Sequence, residues 1–305
     1  MDSSAYRRRL LIIYNPTAGR RKRARLEAYL DLLEEAGCAV EYRPTTRRGD
    51  AEAFANDALA ERYDAVVAAG GDGTIAEVAN GLPKQGAAPL GIFPLGTANV
   101  LAAEIGLPLA PPAVMDAVLR GPARDIYPGF VESDGAGSSK TTRLFTIMAG
   151  VGFDAHVVAD LPIKLKRALG KGAYVVESLR QLLSWPGRTY RLEIDGQSHD
   201  ACSAIIAKGH FYAGRFICCP DARLDAPDFQ ICLLRRPGKI GVLRASAAMT
   251  LGLLPRLPEI TLLRGKSVRI TGIVGDPVQA DGDIAAHLPA TVTVGDKPLR
   301  LIMPA

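Results

Sequence analysis

Four times within its first hundred residues, the chain sets a short, mostly apolar run in front of a polar or glycine-bearing loop and a helix-patterned stretch. The runs are Leu10-Leu11-Ile12-Ile13-Tyr14, Ala39 to Tyr42, Ala65-Val66-Val67-Ala68-Ala69, and Leu90 to Phe93. Behind the first run, Leu26, Tyr29, Leu30 and Leu33 recur at the spacing of one helix face, and Gly37 closes that helix. Ala51 to Ala60 places Phe54, Ala58 and Leu59 on one side; Ile75, Val78, Ala79 and Leu82 stripe the next helix; Ala98 to Ile105 supplies another. Strands this apolar have no solvent face, and alternation with helices joins them by crossovers. A parallel sheet covered on both faces meets these demands. The pattern predicts a doubly wound α/β domain over residues 1–124.

Past Arg124 the rhythm changes. Short β-like runs follow one another at Ile126 to Glu132, Leu144 to Ala149, Thr189 to Ile194, Ser203 to Ala207, Phe229 to Leu234, Val268 to Ile273 and Thr291 to Val294. Asp134-Gly135, Asp195-Gly196, Asp225-Ala226-Pro227 and Gly295-Asp296 punctuate them as turns. Two helical interruptions are expected, at Leu165 to Leu183 and Gly241 to Leu254, and Ser133 to Thr142 reads as a polar hairpin tip. Residues 125–296 therefore form a second, mostly antiparallel β domain.

With 48% hydrophobic and 23% charged residues, the 305-residue chain is neither disordered nor low in complexity. A net charge of +5 is compatible with nucleic acid, nucleotide or anionic lipid headgroups and specific to none; no nucleic-acid partner is expected. The cysteines Cys38, Cys202, Cys218, Cys219 and Cys232 are odd in number and show no CxxC spacing, so they read as small buried side chains in a reducing compartment. Leu10 to Tyr14 is too short for a signal peptide, and the longest apolar stretch, Ala245 to Leu254, falls far short of the ~20 residues a spanning helix needs. The expectation is a soluble cytoplasmic protein, with any membrane contact at the surface.

The loops after the four strands are Asn15-Pro16-Thr17-Ala18-Gly19, Thr45-Thr46, Gly70-Gly71-Asp72-Gly73-Thr74 and Gly96-Thr97-Ala98-Asn99. In an open α/β sheet the loops at the carboxyl ends of strands line one crevice, where ligands bind. Each alone passes for an ordinary turn; four at one end do not. The Gly70–Thr74 loop is the sharpest, because glycines admit a phosphate and the following helix presents free N–H groups. Asp72 beside a phosphate implies a magnesium-nucleotide or a hydroxyl partner. Neither a Walker loop nor a GxGxxG loop is present, so this is a different phosphate cradle.

The run from Val66 to Leu82 resembles the signature of the diacylglycerol kinase catalytic-domain family, which includes soluble bacterial lipid kinases, sphingosine kinases and ceramide kinases. Ile13-Tyr14-Asn15-Pro16, Pro94-Leu95-Gly96-Thr97-Ala98-Asn99, Phe145 with Gly150-Val151-Gly152-Phe153-Asp154, and Ala280-Asp281-Gly282-Asp283 match further, in the family's order, over nearly the whole chain. The resemblance implies an N-terminal nucleotide-binding domain of NAD-kinase-like fold and a C-terminal β-sandwich, with the last strand, within 297–305, returning to the first domain. It implies nucleotide contacts at Asn15, Thr45, Gly70, Gly71, Asp72, Gly73, Thr74 and Thr97, with Pro16, Glu77 and Asn99 carried along in the same motifs. Asp281 matches the family's proposed proton acceptor. Asp283 stands where the family usually has Glu, and Asp72 is the rival base. At the family's magnesium segment, Ala226-Pro227 replaces the usual Asp-Gly; Asp225 and Asp228 flank the gap as the remaining candidate ligands.

The implied activity is transfer of the γ-phosphoryl group of ATP, with Mg²⁺, to the hydroxyl of a lipid such as diacylglycerol, a ceramide or a sphingoid lipid. That lipid would enter between the domains. NAD kinase and a non-catalytic nucleotide- or lipid-binding protein stay open as alternatives. The basic run Arg20-Arg21-Lys22-Arg23 with Arg25 reads as a solvated helix face, with an anionic membrane or ATP phosphate as second partner. Leu161 to Leu169 and Leu251 to Leu257 could frame a lipid entrance, and Trp185 reads as core. A transient contact with the anionic inner membrane surface is expected, and a homodimer stays open.

Overall fold

The computed structural model describes residues 6–16, 20–58, 62–82, 88–133, 141–160, 187–235 and 238–304. The expected helix at Leu165 to Leu183, the Leu161 to Leu169 stretch, Trp185, the tip of the Ser133–Thr142 hairpin, and Thr17 to Gly19 lie outside these residues, as do the side chains of Arg20, Arg21 and Lys22. The chain divides into one unit of Met1–Ile126 with Lys297–Ala305 and a second of Tyr127–Asp296.

In the first unit, β1 (Arg9–Tyr14), β2 (Ala39–Pro44), β3 (Ala65–Gly70) and β4 (Leu90–Pro94) run parallel; β5 (Ala123–Ile126) and β20 (Leu299–Ile302) complete the sheet in the order β2-β1-β3-β4-β20-β5. β20 lies parallel to β4 and antiparallel to β5. Every residue of β3 and β4 is buried, as their unbroken apolar runs require. The helices are α1 (Arg20–Glu35), α2 (Asp50–Asn56), α3 (Asp72–Gly81), α4 (Val100–Glu104) and α5 (Pro111–Arg120). From β1 the chain steps one way to β2, then reverses to β3. Right-handed crossovers therefore put α1 and α2 on opposite faces, where α1 packs with α5 and α2 with α3. The reversal creates a switch point between β1 and β3.

The second unit is two antiparallel sheets. One follows the order β10 (Gln197–Ala201), β9 (Tyr190–Ile194), β16 (Ser267–Thr271), β19 (Ala290–Val294), β6 (Gly129–Ser133), β7 (Thr142–Phe145). The other follows β15 (Ile260–Gly265), β14 (Phe229–Leu234), β11 (Ser203–Ala207), β8 (Met148–Gly152), β17 (Pro277–Ala280), β18 (Asp283–His287). Among the described residues, a short hairpin, β12 (Phe211–Tyr212) with β13 (Phe216–Ile217), and the helices α6 (Phe153–Asp160) and Lys239–Thr250 decorate them. Val131, Phe145, Leu192, Val268 and Val292 from the first sheet share one core with Val151, Ile206, Phe229, Leu233 and Val278 from the second.

Three expectations change here. The run from Ile126 to Glu132 is divided: Ile126 ends β5 in the first unit's sheet, and β6 begins at Gly129 in the second unit. The run from Leu144 to Ala149 is not one strand: β7 ends at Phe145 in one sheet and β8 begins at Met148 in the other, so Thr146 and Ile147 carry the chain across. Helix Ala98 to Ile105 starts only at Val100, because Asn99 takes a left-handed φ of 48°.

Candidate active site

At the carboxyl ends of the parallel strands, the loops sit on neighbouring strands and are tied to one another. Asn15, at the end of β1, donates its backbone N–H to the carbonyl of Ala69 on β3 (3.3 Å), across the switch point. Thr45, at the end of β2, donates both its N–H (2.9 Å) and its hydroxyl (3.3 Å) to the carbonyl of Tyr14 and is buried. Glu77 accepts the N–H of Gly49 at 3.1 Å, which fixes the turn leading from Thr45 into α2 to the side of α3. Pro16 and Thr97 are exposed on the same crest, and Gly73 is exposed in the first turn of α3.

The glycines of this crest answer to each other. A Cβ on Gly96 would lie 2.4 Å from the Cα of Gly71 and 2.5 Å from Oδ1 of Asn99, and one on Gly70 would meet Thr74 Oγ1 at 2.4 Å. Two backbones touch here, so the β3 and β4 loops form one platform. Asp72 clamps it. Although it opens α3, its Oδ1 accepts the N–H of Val100 at the start of α4 (2.6 Å). Burial pushes the Asp72 carboxyl above its ordinary value, opposed by the backbone N–H groups of Val100, Asp72, Asn99 and Leu101. Asn99 donates its side-chain NH₂ to Gly96 O (3.0 Å) and completes the turn. The basic face of α1 contributes more than solvation: the guanidinium of Arg25 reaches the carbonyl of Pro94 at the end of β4 (3.5 Å).

Asp281 lies in the second unit and is committed elsewhere. Asp281 and Gly282, with φ of 47° and 86°, form a two-residue loop between the paired residues Ala280 and Asp283, the signature of a type I′ hairpin turn. The Asp281 carboxylate then collects the strand crossover: Oδ2 accepts Thr146 N (2.7 Å) and Thr146 Oγ1 (3.0 Å), and Oδ1 accepts Ile147 N and Met148 N (both 3.0 Å). A carboxylate offers about four acceptor sites, and all are taken. The carboxylate expected as proton acceptor thus satisfies the N–H groups that the crossover removes from both sheets. Asp283, on the far side of the turn, is partly exposed at the first position of β18.

A buried polar chain supports this hairpin from below. Asp154, on α6, accepts the Tyr212 hydroxyl at Oδ1 and the Gln279 amide at Oδ2 (2.7 Å), while Gln279 Oε1 accepts the N–H of Gly282 (3.0 Å). Gly150 leaves the room, for its Cβ would stand 2.4 Å from Asp154 Oδ2. Burial raises the Asp154 carboxyl against the pull of Tyr212 and Gln279. Neither Tyr212 nor Gln279 carries a motif in the sequence.

The residues of the expected magnesium segment do not fit a divalent ion. Asp225 pairs with Arg223 (2.9 Å), and Asp228 pairs with Arg264 (3.0 Å). The fully buried Lys208 sends its ammonium to the carbonyls of Ala226 and, at 3.0 Å, Asp228. Burial draws that ammonium down to about 8 against the opposing pull of Asp228 and Asp225. A fixed cation already satisfies the loop, and among the described residues no group of His, Cys, Asp and Glu converges to hold a metal. EDTA is therefore expected to leave the melting temperature of the nucleotide-free protein unchanged. Lys208→Met should lower stability by about 1–3 kcal/mol, the cost of stranding buried acceptors. A fall in melting temperature on chelation, measured by differential scanning calorimetry, would restore the metal.

The chain matches the diacylglycerol kinase catalytic domain family over residues 9–131 and the YegS C-terminal NAD kinase beta sandwich-like domain family over residues 147–303. A diacylglycerol kinase of Staphylococcus carnosus (strain TM300) is 29% identical over 288 residues, covering 93% of this chain and 91% of its own. One of Staphylococcus epidermidis (strain ATCC 12228 / FDA PCI 1200) is 28% identical over 303 residues, 98% of this chain and 93% of its own. In fold, the crystal structure of a diacylglycerol kinase from Bacillus anthracis str. Sterne is similar with a TM-score of 0.77 at 21% identity, over 97% of each chain.

Proposed function

Because the chain belongs to the diacylglycerol kinase catalytic-domain family, we propose that it is an ATP-dependent lipid kinase that transfers the γ-phosphoryl group to the hydroxyl of diacylglycerol. The observation that carries this reading is the Gly70-Gly71-Asp72 loop, which opens α3 at the switch point of a parallel sheet and is locked to the Gly96–Asn99 loop. Phosphates would meet the free N–H groups at the start of α3, with the Arg25 guanidinium nearby as counter-charge. Mg²⁺ arriving with the nucleotide takes most of its ligands from phosphate and water and needs one or two carboxylates; Asp72, between the β3 and β4 loops, is a carboxylate placed to serve. When bound, that ion would neutralise developing charge on the phosphates. Phosphoryl transfer depends chiefly on such alignment and neutralisation.

The lipid hydroxyl is a weak acid, and a carboxylate that accepts its proton speeds the transfer. With Asp281 saturated, Asp283 is the better candidate on that turn, and Asp72 remains its rival. The names of the relatives favour diacylglycerol over ceramide or sphingoid acceptors. ATP labelled at its γ-phosphate and offered diacylglycerol, ceramide, sphingosine and NAD in parallel tests the reading. Label in phosphatidic acid is the expected outcome. Labelled NADP with no labelled lipid would overturn the lipid assignment, and no labelled product at all would overturn the enzymatic one.

A further inference from the structure

The polar groups beneath the Asp281–Gly282 turn form a chain in which each donor fixes the next acceptor. The N–H of Gly282 can only donate, so the oxygen of Gln279 has to face it, and Oε1 does so at 3.0 Å. The Gln279 NH₂ then points the other way, to Asp154 Oδ2 at 2.7 Å. An NH₂ also can only donate, so that carboxyl oxygen has to accept. At Oδ1 the Tyr212 hydroxyl donates as well. Asp154 thus receives two hydrogen bonds and gives none, the pattern of an ionised carboxylate. Its place in the first turn of α6 favours that charge.

The charge sits in a dry place. Asp154 and Gln279 are 7% and 2% exposed, and among the described residues Asp154 is hydrogen-bonded by a hydroxyl and an amide rather than by a cation. Burial pushes the carboxyl above its ordinary value, while Tyr212 and Gln279 pull it back. α6 packs on β8, β17 and β18. Of the titratable groups around it, the Cys218 thiol, just after β13, feels the Asp154 charge. Asp281 is saturated by the strand crossover, and His156 on α6 is turned to Arg188 and Asp276. Asp283 is half-buried, and His287 and Asp160 are exposed.

We propose that Asp154 is a positioning residue whose ionised form alone holds the Asp281–Gly282 turn, so that a proton taken up by this buried carboxylate resets the turn that presents Asp283. On Oδ2 the proton meets the Gln279 NH₂ head-on. The amide then has to swing its oxygen to Asp154, and its NH₂ opposes the N–H of Gly282. On Oδ1 the proton reverses the bond to Tyr212 and removes the charge that the Gln279 amide is bound to. Either way the grip on Gly282 weakens. Turnover is therefore present above the Asp154 midpoint and lost as pH falls through it. A carboxyl raised in the folded state takes up its proton before an unfolded aspartate does, so this group by itself gives no acid unfolding in that window. The consequence for turnover rests on the kinase reading and on Asp283 as its base; the coupling of Asp154 to Gly282 does not.

The full chain, labelled with ¹⁵N-glycine, reads the coupling by NMR without substrate. The Gly282 amide signal is identified by its absence in Gly282→Asn, since asparagine tolerates the left-handed φ of that position. Between about pH 8 and about pH 4 the signal is expected to shift through one midpoint above the usual aspartate range. Tyr212→Phe deletes one donor to the carboxylate and should raise that midpoint by about 1–2 pH units. Asp154→Asn and Gln279→Met should each abolish the shift. Circular dichroism shows which variants fold, and Tyr212→Phe, which removes a single oxygen, decides the matter if the other two do not. With ATP and diacylglycerol, the acid limb of kcat should share the midpoint and move with it in Tyr212→Phe, while the Kd for ATP stays constant. A Gly282 signal that does not titrate, a midpoint that Tyr212→Phe leaves in place, or a shift that survives in folded Asp154→Asn overturns the proposal. A kcat limb that stays put while the midpoint moves overturns the positioning role. If the signal titrates and no lipid is phosphorylated, the kinase reading fails and the coupling stands.

Discussion

Asp281→Ala is expected to unfold the second unit more effectively than any other single change at the candidate site. Its carboxylate is the acceptor for Thr146 N, Ile147 N and Met148 N and for the Thr146 hydroxyl. These N–H groups lie where the chain leaves one sheet for the other, so no strand is placed to take them over. Stranding buried donors and deleting a hydrogen-bonded charge costs on the order of 3–5 kcal/mol, a large share of a typical domain's stability. Asparagine does not repair the site. Its amide nitrogen would face donors on whichever side it turned, so Asp281→Asn should fall close to the alanine variant. Asp283→Asn should behave in the opposite manner, keeping the melting temperature and lowering kcat by about 10²–10⁴-fold if this carboxylate accepts the proton. Thermal denaturation and turnover measured on the same preparations separate the two roles. An Asp281→Ala protein that melts like wild type and is merely inactive would return the base assignment to Asp281.

The second large effect is expected at Asp72, in the opposite register: activity lost, fold kept. Asparagine retains an oxygen for the N–H of Val100, so the clamp between the β3 and β4 loops survives. The negative charge does not. If Asp72 meets the metal of the nucleotide, Asp72→Asn should lower kcat by roughly 10²–10³-fold, the scale of losing one preorganised charge contact. It should also weaken ATP binding measured by calorimetry. Unchanged ATP affinity together with near-wild-type turnover would reduce Asp72 to a loop clamp. An Asp72 variant that loses turnover alone, with ATP binding intact, would make it the stronger candidate for the base over Asp283.

Local pattern was enough for the four parallel strands of the first unit, though not for β5 or for the return of β20. Leu10 to Tyr14 and Ala65 to Ala69 are apolar throughout because both faces of their strands are covered, and that requirement is written into consecutive residues. The crest loops were legible for the same reason: each follows its strand directly, and the topology of a parallel sheet brings such loops to one end. The close approach implied by Gly70, Gly71 and Gly96 was legible as a need for space. That Gly71 and Gly96 give this space to each other was not.

Tertiary structure alone decided what the polar side chains do, because their partners are remote in sequence. The Asp281-Gly282 pair announces a hairpin, but the N–H groups that occupy its carboxylate lie more than 130 residues upstream. Those same bonds explain why the apolar run Leu144 to Ala149 breaks into two strands, a break that its hydrophobicity conceals. Lys208 reads as an ordinary surface residue until β11 and β14 pair and set its ammonium on the carbonyls of Ala226 and Asp228, where the loop then has no use for a divalent ion. Hydrophobic periodicity is a local code, since burying a face depends on neighbours at fixed spacing along one element. Satisfying a buried charge or N–H group depends on whichever element the fold brings alongside, and no spacing in the sequence records it.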